Sequence, residues 1–583
     1  MTPHPPILRQ NHETLVVVLL TILAAAVRLY GLGRIGLTHF DEGVYAFAGL
    51  WSVGAAGLGP DLIPYAPPGF PILVGLSYAV LGVADISAVL ASIACGVATV
   101  PVAAWVARRT FGPGAGGAAA AFTCLSIAHI AFSRKALTDV PFLLFWMLAI
   151  GLGARFLERP GLWRGVVLGL AVGLAQNFKY SGWVAGLIVI ASAVVSLGVD
   201  RNSRSRVALL RTFGFGAVGI VVAGAVYLPW FLYVENHGGY AALLRHHQSY
   251  MRGISSWPGH WSQQLAQVTA LSGWRAWGLV TWTAAWLAAG FGACGRRWVL
   301  GRSRNDWTRF RVGGLLGASF LAGIPDLAWW GGLAWFLWLV TDPRPSVRLL
   351  ACWWLILSVM TPFYTPYARL WLPLHGAGWI LMAGAVVALG PFSEAGVVES
   401  TRGEVLFTPK VLTQCAVVLF CLVFARAHWS WYGAEPGAFR VAAFFRPTDS
   451  LRSAVAACVT SPTVANQPGM TLDVLARRPV AFYLAQAGRV PFRLVAGPED
   501  LKGGVSGLDE WGLADEALLS VTAEWNPAPV PGRHRLRPAE RWDTLLDPVT
   551  LLDVRPGVVR EVEIPPVHAS LVLMKPTPGP TSR

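Results

Sequence analysis

The first 426 residues run through a succession of apolar stretches, at roughly 15–30, 69–84, 86–107, 114–132, 140–157, 165–178, 182–198, 213–233, 274–293, 313–324, 327–341, 347–362, 371–390 and 410–426. Most are near the length a helix needs to cross a hydrocarbon layer, about 20 residues. Only a bilayer absorbs that pattern, because a soluble fold has no interior large enough to hide so much apolar surface. Composition agrees: of 583 residues, 54% are hydrophobic and 13% charged, and mean hydropathy is +0.52. The 27 Trp suit the headgroup layer, where indole keeps its apolar body dry and its N–H wet. A formal charge of +15 would suit nucleic acid, but the Arg residues lie in short loops between apolar stretches. That placement orients helices and attracts anionic lipid, so nucleic acid is excluded as a partner.

Basic loops stay on the cytoplasmic side of a membrane. Here they are Arg108 with Arg109, Arg159 with Arg164, the run Arg201, Arg204, Arg206 and Arg211, and the run from Arg296 to Arg311. For these to share a side, with the N-terminus inside, the segment 69–83 must not span. It is short, and Pro67, Pro68 and Pro71 crowd its start, so it reads as a juxtamembrane or re-entrant segment on the outer face. The break Ile324-Pro325-Asp326 is read as dividing 313–341 into two spans; one long helix there would send everything after it to the opposite side. About 13 transmembrane helices then remain. The outer face receives loops 31–85 and 234–271, the segment 133–139, the turn near Lys179, and 365–369.

Residues 1–426 thus form a polytopic α-helical membrane domain, and 427–583, of mixed polarity and rich in Pro, a soluble extracytoplasmic α/β domain. Within the latter, 482–484 and 571–573 read as short strands and 450–458 and 471–477 as helices, ahead of a disordered tail from Pro576. The seven Cys make no CxxC pair, and all but Cys458 lie in or at the ends of apolar stretches, which rules out a disulfide framework or zinc cluster. No small-residue cleavage site follows the first apolar stretch, so 15–30 is a retained helix.

The unusual polar residues are the ones assigned to the outer face. Asp41-Glu42 follow the first helix, where carboxylates are costly unless water, a partner or a reaction uses them. They read as a general base, a metal ligand or a substrate anchor, or else as the cap of the helix that follows. Adjacent acids point in different directions on a helix, so one can cap while the other reacts. Tyr65-Ala66-Pro67-Pro68 is extended and stiff, either a substrate wall or a rigid approach to an apolar segment. In Ser133-Arg134-Lys135-Ala136-Leu137-Thr138-Asp139, Asp139 either caps the next helix or pairs with a cation, and Arg134 and Lys135 suit a carboxylate or a phosphate. Lys179 is a snorkelling helix-end lysine or a phosphate contact. His246-His247 lie in the long outer loop, and consecutive His rarely serve one metal. Arg369, in Tyr367-Ala368-Arg369, is an interfacial anchor or a lipid-phosphate clamp.

Taken in order, these elements resemble a known family. An acidic pair after the first helix, a Pro-Pro-Gly segment, an Arg-to-Thr-Asp-x-Pro loop, a helix-end Lys, a His-bearing outer loop and a Tyr-x-Arg-x-x-x-Pro element are similar to those of the family 39 glycosyltransferases and their relatives, the protein O-mannosyltransferases and bacterial aminoarabinose transferases. The resemblance covers about residues 10–426 and is tightest in the first 180. It implies the GT-C membrane fold, a bacterial inner-membrane location with the site on the outer face, and a sugar donor carried on polyprenyl phosphate. It further implies inverting transfer to a lipid, glycan or protein acceptor by a monomer. Asp41 maps to the catalytic base, with Glu42 as its neighbour. Lys179, Arg134 and Arg369 suit the donor phosphate, and Asp139, His246, His247 and Tyr65 the rest of the substrate. No cofactor is required. Aminoarabinose transferases carry Glu-Lys where this chain has Tyr65-Ala66, which argues against a bound divalent metal and against transfer of aminoarabinose to lipid A. A transporter or flippase is the competing class. Transporters usually show repeated halves and polar breaks at mid-membrane, whereas the polar residues here gather at one face. A degenerate, non-catalytic scaffold is a third reading, against which the presence of both Asp41 and Asp139 speaks.

Overall fold

A computed structural model describes residues 7–53, 66–199, 206–248, 250–272, 340, 342, 344–389, 448–467, 472–475, 478–488, 492–495, 517–523, 536–546 and 567–576. The expected spans 274–293, 313–324 and 410–426, nearly all of 327–341, the break at Pro325 and the wall residue Tyr65 lie outside these. So does the tail beyond Pro576.

The chain folds into a bundle of apolar helices followed by a five-stranded sheet with its own helices. Among the described residues five helices are long and apolar enough to cross a membrane. They belong to α1 (Ile7–Leu29), α4 (Asp85–Phe111), α7 (Asp139–Glu158), α10 (Arg206–Asn236) and α13 (Pro345–Met360). With α14 (Leu372–Leu389) and the helices below they make a multi-pass membrane protein. Ile220 and Val221 on α10 and Val80 on α3 (Gly69–Leu81) are exposed, as side chains meant for lipid rather than water should be. At 13 residues α3 is shorter than a helix that crosses a bilayer.

Three expectations change. The stretch 114–132 is not one straight span but α5 (Ala115–Leu125) and α6 (Ile127–Ser133), bent by 58° at Ser126. A bend strips the last carbonyls of α5 of their helical partners, and such groups are costly in a dry interior. Arg28, fully buried near the end of α1, donates to Cys124 O at 3.3 Å and Thr123 O at 3.4 Å, while Ser126 Oγ caps the new helix through His129 N. Arg28 also meets His129 Nδ1 at 2.8 Å. The segment 234–271, expected as an outer loop, likewise holds helices, α11 (Gly239–Gln248) and α12 (Trp257–Ser272). Polar composition hid both from an apolar-run reading.

The third change concerns the C-terminal elements. Helix α15 (Ser450–Thr460) and strand β5 (Val567–Pro576) fall where 450–458 and 571–573 were expected. Residues 471–477, expected helical, instead hold β1 (Leu472–Leu475), and 482–484, expected as a strand, lie in α16 (Arg478–Ala487). With Val480, Ala481, Phe482, Tyr483 and Leu484 all buried, that run gives a buried helix no periodicity to distinguish it from a buried strand. Strands β2 (Phe492–Val495), β3 (Ala517–Ala523) and β4 (Leu536–Leu546) complete the sheet, in the order β2-β1-β3-β5-β4. The β1 neighbours pair parallel and the β5 neighbours antiparallel.

Two helices matter for the site. α8 (Leu162–Phe178) carries Gly165, Gly169 and Gly173 one turn apart, facing α10. A Cβ on Gly169 would stand 2.2 Å from Gly219 O, and one on Gly165 2.3 Å from Phe215 O, so only glycine allows this approach. Asn177 continues the row, its Nδ2 donating to Val226 O at 3.2 Å. At the end of α8 stands Lys179.

The helix ends also sort by charge. Arg108 with Glu13, and Arg109 with Glu158, join one end of α4 and α7 to the start of α1, while Asp85 and Asp139 begin α4 and α7 at the other end. The polar candidates gather at this second end.

Candidate active site

The acidic pair after the first helix divides its work. Both acids lie in the first turn of α2 (Phe40–Ser52), where the helix dipole favours negative charge. Glu42 is fully buried. Its Oε2 accepts from Thr38 N and His39 N, both at 2.9 Å, its Oε1 accepts from Ala136 N at 3.0 Å, and Lys135 lies 3.8 Å away. His39 Nδ1 in turn accepts from Asp41 N at 3.0 Å, completing a capping box. Glu42 therefore builds the loop: both of its oxygens accept backbone amides, the capping half of the two roles the pair was expected to share. Asp41 points elsewhere.

Asp41 Oδ2 accepts from Arg369 Nη1 at 2.5 Å. The same Arg369 nitrogen stands 3.9 Å from Asp139 Oδ2, and Asp139 Oδ1 accepts from Lys179 Nζ at 2.5 Å. The result is an alternating row of acid, base, acid and base, drawn from α2, the loop before α14, the start of α7 and the end of α8. Asp139 and Asp41 are nearly closed off, with side chains 1% and 6% exposed, while Lys179 keeps 24%. Burial pushes the Asp41 carboxyl up, but Arg369, His39 and Lys179 outweigh it and hold the group below the usual carboxylate range. Asp139 Oδ2 is buried with no hydrogen-bond partner among the described residues, Arg369 Nη1 lying 3.9 Å away.

An aromatic roof covers the row. His247, on α11, lies edge-on to Tyr180 with ring centroids 5.6 Å apart, and its Nδ1 is 3.4 Å from Tyr364 Oη. Burial, then His246 and Lys179, lower the His247 imidazole to about 4, so it is neutral near pH 7. Tyr250 stacks on Tyr364 at 5.7 Å, and Tyr367 lies 5.4 Å from the Arg369 guanidinium. His246 faces His247 and Tyr250 rather than the charged row.

Of the expected residues, Asp41, Asp139, Lys179 and Arg369 come together, and His247 stands next to them. Arg134 does not join them: it is buried and donates to Arg28 O and Tyr30 O, at 2.7 and 2.6 Å, fastening the end of α1. Its Nη1 is thus occupied by backbone, away from the charged row, where a donor phosphate was expected to find it. Tyr180, Tyr250 and Tyr364 are not among the expected residues, and Tyr367 enters only through the Tyr-x-Arg-x-x-x-Pro element; the Tyr-Thr-Pro-Tyr run just before Arg369 is the signal the sequence offers. Among the described residues no three His, Cys, Asp or Glu gather as a metal site. Both carboxylates of the row already hold cations of the protein.

Residues 65–230 match the family described as dolichyl-phosphate-mannose-protein mannosyltransferase, a stretch that includes Asp139 and Lys179 but not Asp41 or Arg369. No curated protein matches the chain. Among solved structures, ArnT from Cupriavidus metallidurans bound to undecaprenyl phosphate is 16% identical over 95% of this chain and 97% of its own, with a TM-score of 0.52. The archaeal oligosaccharyltransferase AglB from Archaeoglobus fulgidus, in complex with an inhibitory peptide and a dolichol-phosphate, is 12% identical over 88% of this chain and 70% of its own, with a TM-score of 0.53. The chain thus has the GT-C membrane fold of these proteins, with a helical segment similar to the mannosyltransferase family.

Proposed function

We propose that the protein is an inverting glycosyltransferase that moves a sugar from a polyprenyl phosphate to an acceptor hydroxyl. The observation that carries this reading is the row Asp41–Arg369–Asp139–Lys179, two carboxylates interleaved with two cations at one end of the bundle. Support comes from the two solved structures of the same fold, which hold undecaprenyl phosphate and dolichol-phosphate. Lys179 and Arg369 have the charge and the donors that a phosphate recruits. As a phosphate takes up those cations, Asp41 loses its partner and becomes a better base. The acceptor oxygen then attacks the anomeric carbon from the face opposite the phosphate, and its proton passes to Asp41. The bond from carbon to the phosphate oxygen breaks, and the lipid phosphate leaves with the electron pair, its charge met by Lys179 and Arg369. No step calls on a metal or other cofactor.

About 13 spans, an outer-face site and an outer-face C-terminal domain belong to the same reading. A cysteine placed at exposed Ala457 is expected to react with an impermeant maleimide in intact cells, measured against the parent protein. Labelling only after lysis places the domain, and the site it touches, in the cytoplasm. Cys458 itself is buried and unsuited to the purpose.

Activity is tested with purified protein in liposomes, radiolabelled polyprenyl-phosphate sugars and a membrane extract. Transfer of label is the expected outcome, and the labelled product identifies lipid, glycan or protein as acceptor. Folded protein that transfers no label from any donor overturns the proposal and favours transport of a lipid-linked or small polar substrate.

A further inference from the structure

Residues 35–39, leading into the helix that carries Asp41, have no regular structure. Such a stretch is usually loose, because neither a ladder nor a helix satisfies its amides. Here each amide from Gly36 to His39 has a named acceptor. Glu42 takes Thr38 and His39, as described. The other two bonds come from far along the chain: Gly36 N donates to Thr448 Oγ1 at 2.9 Å, and Leu37 N to Tyr483 Oη at 2.7 Å. Thr448 N adds a bond to Arg34 O at 2.8 Å. The fit is tight enough to need glycine, since a Cβ on Gly36 would lie 2.8 Å from Thr448 O and 3.0 Å from Tyr483 Oη.

A buried relay stands behind the tyrosine. Tyr483 Oη donates to Asp85 Oδ2 at 3.0 Å, and Arg452 Nη1 donates to both oxygens of Asp85, at 3.1 and 2.9 Å. Asp85 and Tyr483 are 2% and 4% exposed. A hydroxyl that donates a hydrogen bond to a carboxylate is polarised into a stronger acceptor, here for Leu37 N. Asp85 opens α4, so the loop is tied through the tyrosine to a spanning helix. Phe482, next to Tyr483, packs edge-on against Phe47 of α2 at 5.9 Å, pressing α16 directly onto the Asp41 helix.

We infer that Tyr483, Asp85 and Arg452 are positioning residues for the transfer reaction, and that the C-terminal elements clamp the first loop so that Asp41 stays in register with Arg369. This rests on the function proposed above. A reacting group displaced by about 1 Å loses up to about a hundredfold in rate.

Tyr483→Phe keeps the ring and removes only the hydroxyl. In the full-length reconstituted protein, the amides of Gly36 and Leu37 are expected to exchange with solvent at least about tenfold faster. Turnover should fall about tenfold or more, with donor KM within about threefold of wild type. The acid limb of the pH–rate profile should rise, as Asp41 loses its hold on Arg369. Arg452→Lys, which keeps a cation on Asp85, should be milder than Arg452→Ala on all three readings. Unchanged exchange in Tyr483→Phe overturns the clamp. Faster exchange with unchanged kcat and acid limb overturns its positioning role. A wild type that transfers no sugar counts against the function itself, and the exchange result alone then decides the clamp.

Discussion

Asp41→Asn is expected to lower sugar transfer by about 10³-fold, within the range lost when a positioned general base is removed. The amide keeps the shape of the side chain but cannot take a proton. The helix start should survive, because His39 and Glu42 supply the cap and Asp41 only its backbone amide. Unfolding temperature in detergent should therefore change little, separating lost chemistry from lost fold. A folded variant that transfers sugar at the wild-type rate would remove Asp41 from the mechanism. The pH profile gives a second check with a definite sign. Arg369 leads the influences that hold the Asp41 carboxyl below its usual range against the upward push of burial. The wild-type acid limb should lie below the ordinary carboxylate value of about 3.9, and Arg369→Gln should move it upward toward neutrality. A limb that stays in place assigns the titration to another group.

Lys179→Met should cost stability as well as activity. Asp139 is 1% exposed and takes its 2.5 Å hydrogen bond from Lys179, so the variant leaves a buried carboxylate with Arg369 at 3.9 Å as its remaining cation. Removing one partner of a buried pair costs about 3–5 kcal/mol, and the lower end applies here because Lys179 is partly exposed and Arg369 stays near. Denaturant titration in detergent measures it. The double variant Asp139→Asn with Lys179→Met should regain most of that stability while binding polyprenyl phosphate as weakly as the single variant. If the single variant is as stable as wild type, the ion pair does not hold α7 to the end of α8. If the double variant binds the lipid phosphate normally, Lys179 is not a phosphate contact.

Much of this was legible in the sequence, for reasons that differ by residue. Charges at helix ends in an apolar chain are rare and therefore conspicuous, which is how Asp41, Asp139, Lys179 and Arg369 stand out before any fold is known. Their pairing was not legible: the hydrogen bond joining Asp41 to Arg369 spans 328 positions, and no local pattern encodes it. Glu42 and Arg134 carry the same signal as the residues of the row, yet both bind backbone groups away from it, and sequence does not say which of two adjacent charges faces inward. The tyrosine roof was hidden because Tyr belongs at membrane rims anyway. Asp85 falls between two apolar stretches, 69–84 and 86–107, where a lone acid reads as a helix start, and Tyr483 lies inside an apolar run whose period favours neither helix nor strand.

The contact between α8 and α10 bears on how the lysine at the end of α8 can vary. A joint filled with side chains can be trimmed by fractions of an ångström, one rotamer at a time. Where Gly165 and Gly169 lay backbone against backbone, and Gly173 meets Val226, little is left to trim. Misplacement there comes in steps of a whole helical turn, about 5.4 Å, far more than phosphate chemistry tolerates. The height of Lys179 is therefore a discrete setting: small changes along this seam leave it where it is or abolish the site, with no graded series between.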